Sequence, residues 1–238
     1  MKSKITLFIF LFFLICVKIY SQTTMELDQL IGIHNTNLVG DTIKLEVNTY
    51  NAFKKMERAA KNDGINLKIV SAYRGFDRQE IIWNKKYDKF TNEFLMEPKK
   101  AILEIIRFST IPGTSRHHWG TDIDIIDGNY PDEKDVLKFE KFEKNGVFYK
   151  LKKWLDKNSE KFGFYLAYNN DSNRKGFEYE PWHYSFKPSS VKYYNALINL
   201  DLEKIIKNSN LNGFQYFNKS FIKKYISENI MDINPDLK

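Results

Sequence analysis

The sequence predicts an α+β fold: a small central antiparallel sheet flanked by helices, with a helical extension at the C-terminus. Three observations carry that prediction. Short runs rich in β-branched and aromatic residues, at 67–70, 121–125, 162–167 and 177–186, read as strands. Longer stretches at 42–61, 78–90, 98–108 and 147–158 carry apolar residues at helical intervals. The last two strands are bridged by one polar turn, 169–175, as in an antiparallel pair.

In chain order, residues 1–21 stand apart from the fold. Lys2 and Lys4 give a positive start, Ile5 to Val17 are apolar apart from Thr6, and Ser21 supplies a small residue before Gln22. That is the layout of a secretory signal peptide, with an apolar run too short for a comfortable membrane span. The expectation is a secreted or periplasmic protein whose mature form has no stable membrane span. Cys16 is the single cysteine and falls inside this segment. Its removal excludes disulfides, thiolate metal ligands and a cysteine nucleophile together. The formal charge of +7, less Lys2, Lys4 and Lys18, leaves +4. The lysines are interleaved with acids, as in Lys134-Asp135, so this is a mixed solvated surface and not a nucleic-acid footprint.

The stretch 42–61 reads as the first long helix, with Leu45, Val47, Phe53 and Met56 inward and Asn62-Asp63-Gly64 as its stop. A strand at 67–70 follows, and the turn Ser71 to Gly75 leaves Arg74 at the strand's end. Helices at 78–90 (Ile81, Ile82 and Trp83 inward) and 98–108 come next, broken by Pro112-Gly113. The polar stretch 127–133 reads as a loop, and 147–158 as an amphipathic helix. The expected strand 177–186 carries both Glu180 and His183. From Lys187 onward, short apolar runs separated by Asn-rich breaks suggest a series of small helices.

The chemistry concentrates in Pro112 to Asp124, PGTSRHHWGTDID. Strand alternation there puts Thr121, Ile123 and Ile125 on one face and Asp122 and Asp124 on the other, toward a cleft. His117 before the strand, Asp124 on it and His183 far downstream are ordinary ligands of zinc (Zn2+). Three protein ligands with a fourth position open to water is the arrangement of a catalytic rather than a structural zinc. Three of the chain's four histidines, His117, His118 and His183, fall in these two short motifs.

Ser115-x-His117-x-x-Gly120-x-Asp122-x-Asp124, followed by Glu180-x-Trp182-His183, resembles the S-x-H-x-x-G-x-A-x-D and E-x-W-H pattern of VanY-like D-alanyl-D-alanine carboxypeptidases. Ser71-x-Tyr73-Arg74 with Gln79 resembles an upstream element of the same family, with Gly75 replacing a serine. The likeness spans Leu45 to Phe186. It implies a zinc metallopeptidase acting on peptidoglycan stem peptides, occupying residues 22–187, with 188–238 as the helical extension. It further implies Glu180 as general base, Arg74 as the group stabilising substrate charge, and Ser115, Arg74 and Gln79 as substrate contacts. Asp122 stands where the family has alanine, and is expected to orient a histidine ligand or to alter which substrate charge is tolerated. His118 is expected to face solvent. An endopeptidase or an L,D-carboxypeptidase stays open within the enzyme reading. From another class stands a zinc-containing cell-wall or protein binding module, which would need neither Glu180 nor Arg74.

Overall fold

The computed structural model describes residues 26–207 and 209–238. The expected signal peptide, residues 1–21, lies outside the described residues. A short helix α1 (Leu27–Ile31) is followed by a two-strand ladder, β1 (Leu38–Val39) with β2 (Leu45–Glu46), and then by α2 (Val47–Asn62). The helix expected from Thr42 starts five residues later. Glu46 is its cap: the carboxylate accepts the Thr49 backbone N–H at 2.9 Å, while Leu45 and Glu46 themselves pair with β1.

β3 (Leu67–Ser71) leads into α3 (Phe76–Asp88) and α4 (Pro98–Ile105). After the site loop come β4 (Asp122–Asp127), α5 (Tyr149–Asn158), β5 (Phe164–Leu166) and β6 (His183–Phe186). The strands form one antiparallel sheet in the order β3–β4–β6–β5. Alternation along β4 divides the sheet's two faces. Ile123 and Ile125 point into a core with Phe53 and Met56 of α2 and Leu151 and Leu155 of α5. Asp122 and Asp124 take the opposite face.

The expected strand 177–186 is a strand only from His183 onward. Pro181 has no N–H to give a ladder, so the chain turns there instead. Glu180 to His183 make a β-turn closed by the His183 N–H on the Glu180 carbonyl at 3.0 Å, with Pro181 second in the turn. Glu180 therefore precedes the strand rather than lying on it.

The C-terminal helices α6 (Lys187–Ile198), α7 (Leu202–Lys207) and α8 (Lys219–Tyr225) build a second core. In it Tyr193, Leu197, Ile206, Ile222 and Tyr225 pack with Trp83 of α3, Ile102 and Ile105 of α4, and Trp119 of the site loop. The Trp83 indole N–H also donates to the Asn212 carbonyl at 3.1 Å. No helix among the described residues is long and apolar enough to cross a membrane.

Candidate metal centre

The site begins with a turn. Ser115 opens a 3-10 turn over Arg116–Trp119, its hydroxyl accepting the His117 N–H at 3.3 Å, and Gly120 closes it with φ of 71°. A Cβ on Gly120 would meet Leu38 Cδ2 at 2.7 Å and the Glu46 backbone nitrogen at 2.9 Å, so only glycine fits. The turn presents His117 to the sheet, where β4 and β6 set Asp124 directly opposite His183. A register slip between Ile69 and Ser71 brings Ser71 opposite Asp124 from the other side.

One donor atom each from His117, Asp124 and His183 lie within 4.8 Å of one another. His117 Nε2 is 3.6 Å from Asp124 Oδ2, and His183 Nδ1 is 3.9 Å from Asp124 Oδ1. These separations are too long for hydrogen bonds but suit donors sharing one ion at ~2.0–2.2 Å. Asp124 Oδ1 is buried and has no hydrogen-bond partner. An orphaned carboxylate oxygen between two imidazoles is a place for a cation, so the residues fit a divalent metal.

Each histidine is held from behind. His117 Nδ1 lies 2.8 Å from the Ala72 carbonyl. A carbonyl only accepts, so Nδ1 carries the hydrogen and the Nε2 lone pair faces Asp124. Burial, with the Arg74 charge adding to it, holds His117 well below the usual histidine pKa. His183 Nε2 lies 2.9 Å from Asp122 Oδ2, and its Nδ1 lies 2.8 Å from Glu180 Oε2. Burial opposes charge on His183, but the bonds to Asp122 and Glu180 outweigh it and raise the pKa to about 10. Burial, reinforced by Glu180, pushes Asp124 up to about 6 against the pull of His183 and Arg74.

Asp122 is fully buried beneath His183 and does not face the cleft as its alternation suggested. It accepts from Arg116 Nε at 2.8 Å, Ser185 Oγ at 2.7 Å and Thr121 Oγ1 at 2.9 Å as well as facing His183. Burial works against its charge, yet Arg116 and His183 hold the carboxyl below the usual carboxylate range. Arg116 is the participant that sequence reasoning passed over. Its signal was available: a cation six residues before an uncommon aspartate in the same motif.

A cleft of about 960 Å³ opens onto the three ligand residues, and Arg74, Ser115 and Glu180 line it with them. Gln79, expected at the substrate, does not line it. Gln79 is fully buried, its Oε1 accepting from Arg74 Nη1 at 2.8 Å and its Nε2 donating to the Thr110 carbonyl at 2.8 Å. It braces Arg74, whose Nη2 also donates to Ser71 Oγ at 2.9 Å. His118, expected in solvent, is fully buried. Its Nε2 accepts the Gly113 N–H at 3.0 Å and its Nδ1–H bonds the Arg74 carbonyl, tying the site loop to the end of β3. Burial lowers its pKa to about 4, in keeping with a neutral ring.

Comparisons with known proteins give the family and the fold. The model of the VanY family, D-alanyl-D-alanine carboxypeptidase, matches residues 42–189. The candidate carboxypeptidase YodJ of Bacillus subtilis (strain 168) is 30% identical over 171 residues, covering 71% of this chain and 51% of YodJ. The chain spans about half the length of the curated relatives it matches. Two solved structures share the fold. VanYB in complex with D-alanine-D-alanine is 22% identical with a TM-score of 0.53, covering 74% of this chain and 91% of that one. A variant of the vancomycin resistance D,D-pentapeptidase VanY in complex with Zn(II) is 21% identical with a TM-score of 0.51, covering 77% and 90%. With the family match reaching over more than half of its length and over every residue of the metal centre, the chain belongs to the VanY D-alanyl-D-alanine carboxypeptidase family.

Proposed function

We propose that the protein is a zinc-dependent carboxypeptidase that removes a terminal D-alanine from peptidoglycan stem peptides, working as a secreted or periplasmic enzyme. The observation that carries this reading is the orphaned Asp124 Oδ1 between His117 and His183, with the Glu180 carboxylate against the same His183 nitrogen. His117, Asp124 and His183 would hold the zinc. When bound, zinc polarises the scissile carbonyl and lowers the pKa of an adjacent water toward ~7.

The remaining steps belong to the chain's own side chains. Glu180, at the mouth of the ligand set, takes the proton from the attacking water and delivers it to the leaving amine. Arg74 reaches the cleft from the end of β3 with its guanidinium already fixed by Gln79 and Ser71. That fixed cation stabilises the negative charge that develops on the substrate oxygen, at no cost of reorganisation. Ser115 uses one of its two oxygen lone pairs on the His117 N–H and keeps its O–H for the substrate.

The test is Glu180→Ala in the zinc-loaded protein, with D-alanine release from stem pentapeptides followed by mass spectrometry. The variant should keep its zinc and its peptide binding while turnover falls by roughly 10²–10⁴-fold. An unchanged rate at full zinc content removes Glu180 from the chemistry. Wild-type protein that holds zinc and cleaves no peptide favours a binding module.

A further inference from the structure

The basic side chains of the cleft are not equivalent. Of those lining it, Arg107 pairs with Glu104 and Glu178, Arg116 with Asp122, and Lys138 with Asp135. Among the described residues, Arg74 and Lys86 have no carboxylate within ion-pairing distance. Both are partly buried, and burial holds both below their usual pKa values against the longer-range pull of carboxylates, Asp124 and Glu180 on Arg74 and Glu180 and Glu104 on Lys86. Arg74 already has a part in the proposed reaction. Lys86 has none.

Lys86 lies on α3 seven residues after Gln79, two helical turns along the same face and about 10 Å farther on. The chain leaving α4 runs beside that face and is fastened to it twice. Gln79 Nε2 donates to the Thr110 carbonyl at 2.8 Å, and Lys86 Nζ donates to Ser109 Oγ at 2.6 Å. The two fastenings leave donors unspent on the cleft wall. Lys86 keeps two N–H groups, and Ser109, which accepts from Lys86, keeps its O–H. The Thr110 hydroxyl oxygen, on the same wall, is buried and has no partner. A cation with two unspent N–H groups, a free serine hydroxyl beside it and no carboxylate in ion-pairing contact describe a receptor for an anion with two oxygens.

We propose that Lys86 and Ser109 form a carboxylate-binding point of the cleft, about two helical turns from the Gln79 brace of Arg74, and that it sets substrate preference. This rests on the peptidase reading above. The carboxylate is either the free C-terminus of the peptide or an acidic group within it. Arg74 would then meet the carbonyl under attack while Lys86 holds the charge at a fixed distance along the chain.

The experiment compares wild-type, Lys86→Met, Lys86→Arg and Ser109→Ala proteins, each zinc-loaded, on three versions of one stem pentapeptide. These are the unmodified peptide, its C-terminal amide, and a version with the internal carboxylates amidated. Lys86→Met should raise KM for the unmodified peptide about 10- to 100-fold with kcat within about twofold, the effect of losing a charge-assisted hydrogen bond made equally in ground and transition states. Lys86→Arg should recover most of it. The amidated peptide on which wild-type and Lys86→Met coincide identifies the carboxylate that is read. Ser109→Ala should repeat the pattern more weakly, and replaces Lys86→Met if that variant does not fold. Equal KM values on the unmodified peptide, or the same loss on all three, overturn the proposal. If the wild-type cleaves none of them, the peptidase reading has failed, and calorimetric binding decides the subsite. Tenfold weaker binding by Lys86→Met then supports it, and equal or absent binding overturns it.

Discussion

Asp122 concentrates the side-chain chemistry of the site more than any metal ligand does. Its four neighbours, Arg116, Thr121, His183 and Ser185, use both carboxylate oxygens, so the group has no freedom to turn. Fixing Asp122 fixes the plane of the His183 ring and keeps Nδ1 aimed at Asp124. Asp122→Asn keeps the shape but gives up the charge, and zinc affinity should fall about 10- to 100-fold while the fold survives. Competition with a chromophoric chelator measures this, and an unchanged affinity would make the contact incidental. Arg116 is tied to the same carboxylate by burial. Arg116→Met leaves the Asp122 carboxylate in the interior without its arginine, held only by Thr121, His183 and Ser185, which should cost about 3–5 kcal/mol in denaturant unfolding. Adding Asp122→Ala to Arg116→Met should restore most of that stability but not the zinc affinity, because His183 would still lack its acceptor.

Among the elements, the turn Ser115–Gly120 has the narrowest tolerance. It is one 3-10 turn, capped by a hydroxyl at its start and by a left-handed glycine at its end. Both ends touch other elements: the Gly120 carbonyl accepts the Glu46 N–H at 2.9 Å, and the His117 carbonyl accepts the Arg74 N–H at 3.0 Å. Gly120→Ala adds a side chain at φ of 71° in a space already filled by Leu38 and the Glu46 backbone. The substitution should cost about 1–3 kcal/mol from backbone strain, with further loss from the clash. A thermal melt with and without zinc checks it. An alanine variant with wild-type midpoint and zinc content would show that the turn relaxes freely. The register shift in β3 sets Ser71 opposite Asp124, and the β-turn at Pro181 brings the Glu180 carboxylate back against His183.

At the scale of the whole molecule, the sheet separates two cores, and the metal centre lies where they meet. One core lies under the sheet with α2 and α5, and the other joins α3 and α4 to the C-terminal helices. Tyr225 of α8 connects that second core to the site loop. Its hydroxyl accepts the Ile111 N–H and bonds Thr114 Oγ1, both at 2.9 Å, just ahead of Ser115 and His117. Tyr225→Phe keeps the ring packing and strands a buried N–H, so it should cost about 1–3 kcal/mol. Because the loss falls on the loop that carries His117, zinc affinity should drop as well. Unfolding midpoint and chelator competition on the same preparation read both effects. A stability loss with unchanged zinc affinity would mean that the C-terminal helices support the fold without setting the site.

The fold class, most element types and the candidate metal-ligating set His117, Asp124 and His183 are legible in the sequence by itself. These are local properties: periodicity two or 3.6, glycine and proline breaks, and histidines beside an alternating Asp-Ile-Asp run. The family resemblance rested on the same short motifs. What only the tertiary structure decided are the facts that depend on residues distant in sequence. That Asp124 stands opposite His183 is a matter of register between strands about sixty residues apart. That Asp122 lies beneath the site and not in the cleft depends on Arg116 and Ser185 being there to receive it. His118 and Gln79 looked like surface and substrate groups because a polar side chain carries no local mark of burial. Whether it is buried depends on the partners that the fold delivers, here the Gly113 N–H and Arg74 carbonyl for His118, and Arg74 and Thr110 for Gln79. A buried polar group is tolerated only where such partners meet it, and the packing of distant segments brings them together.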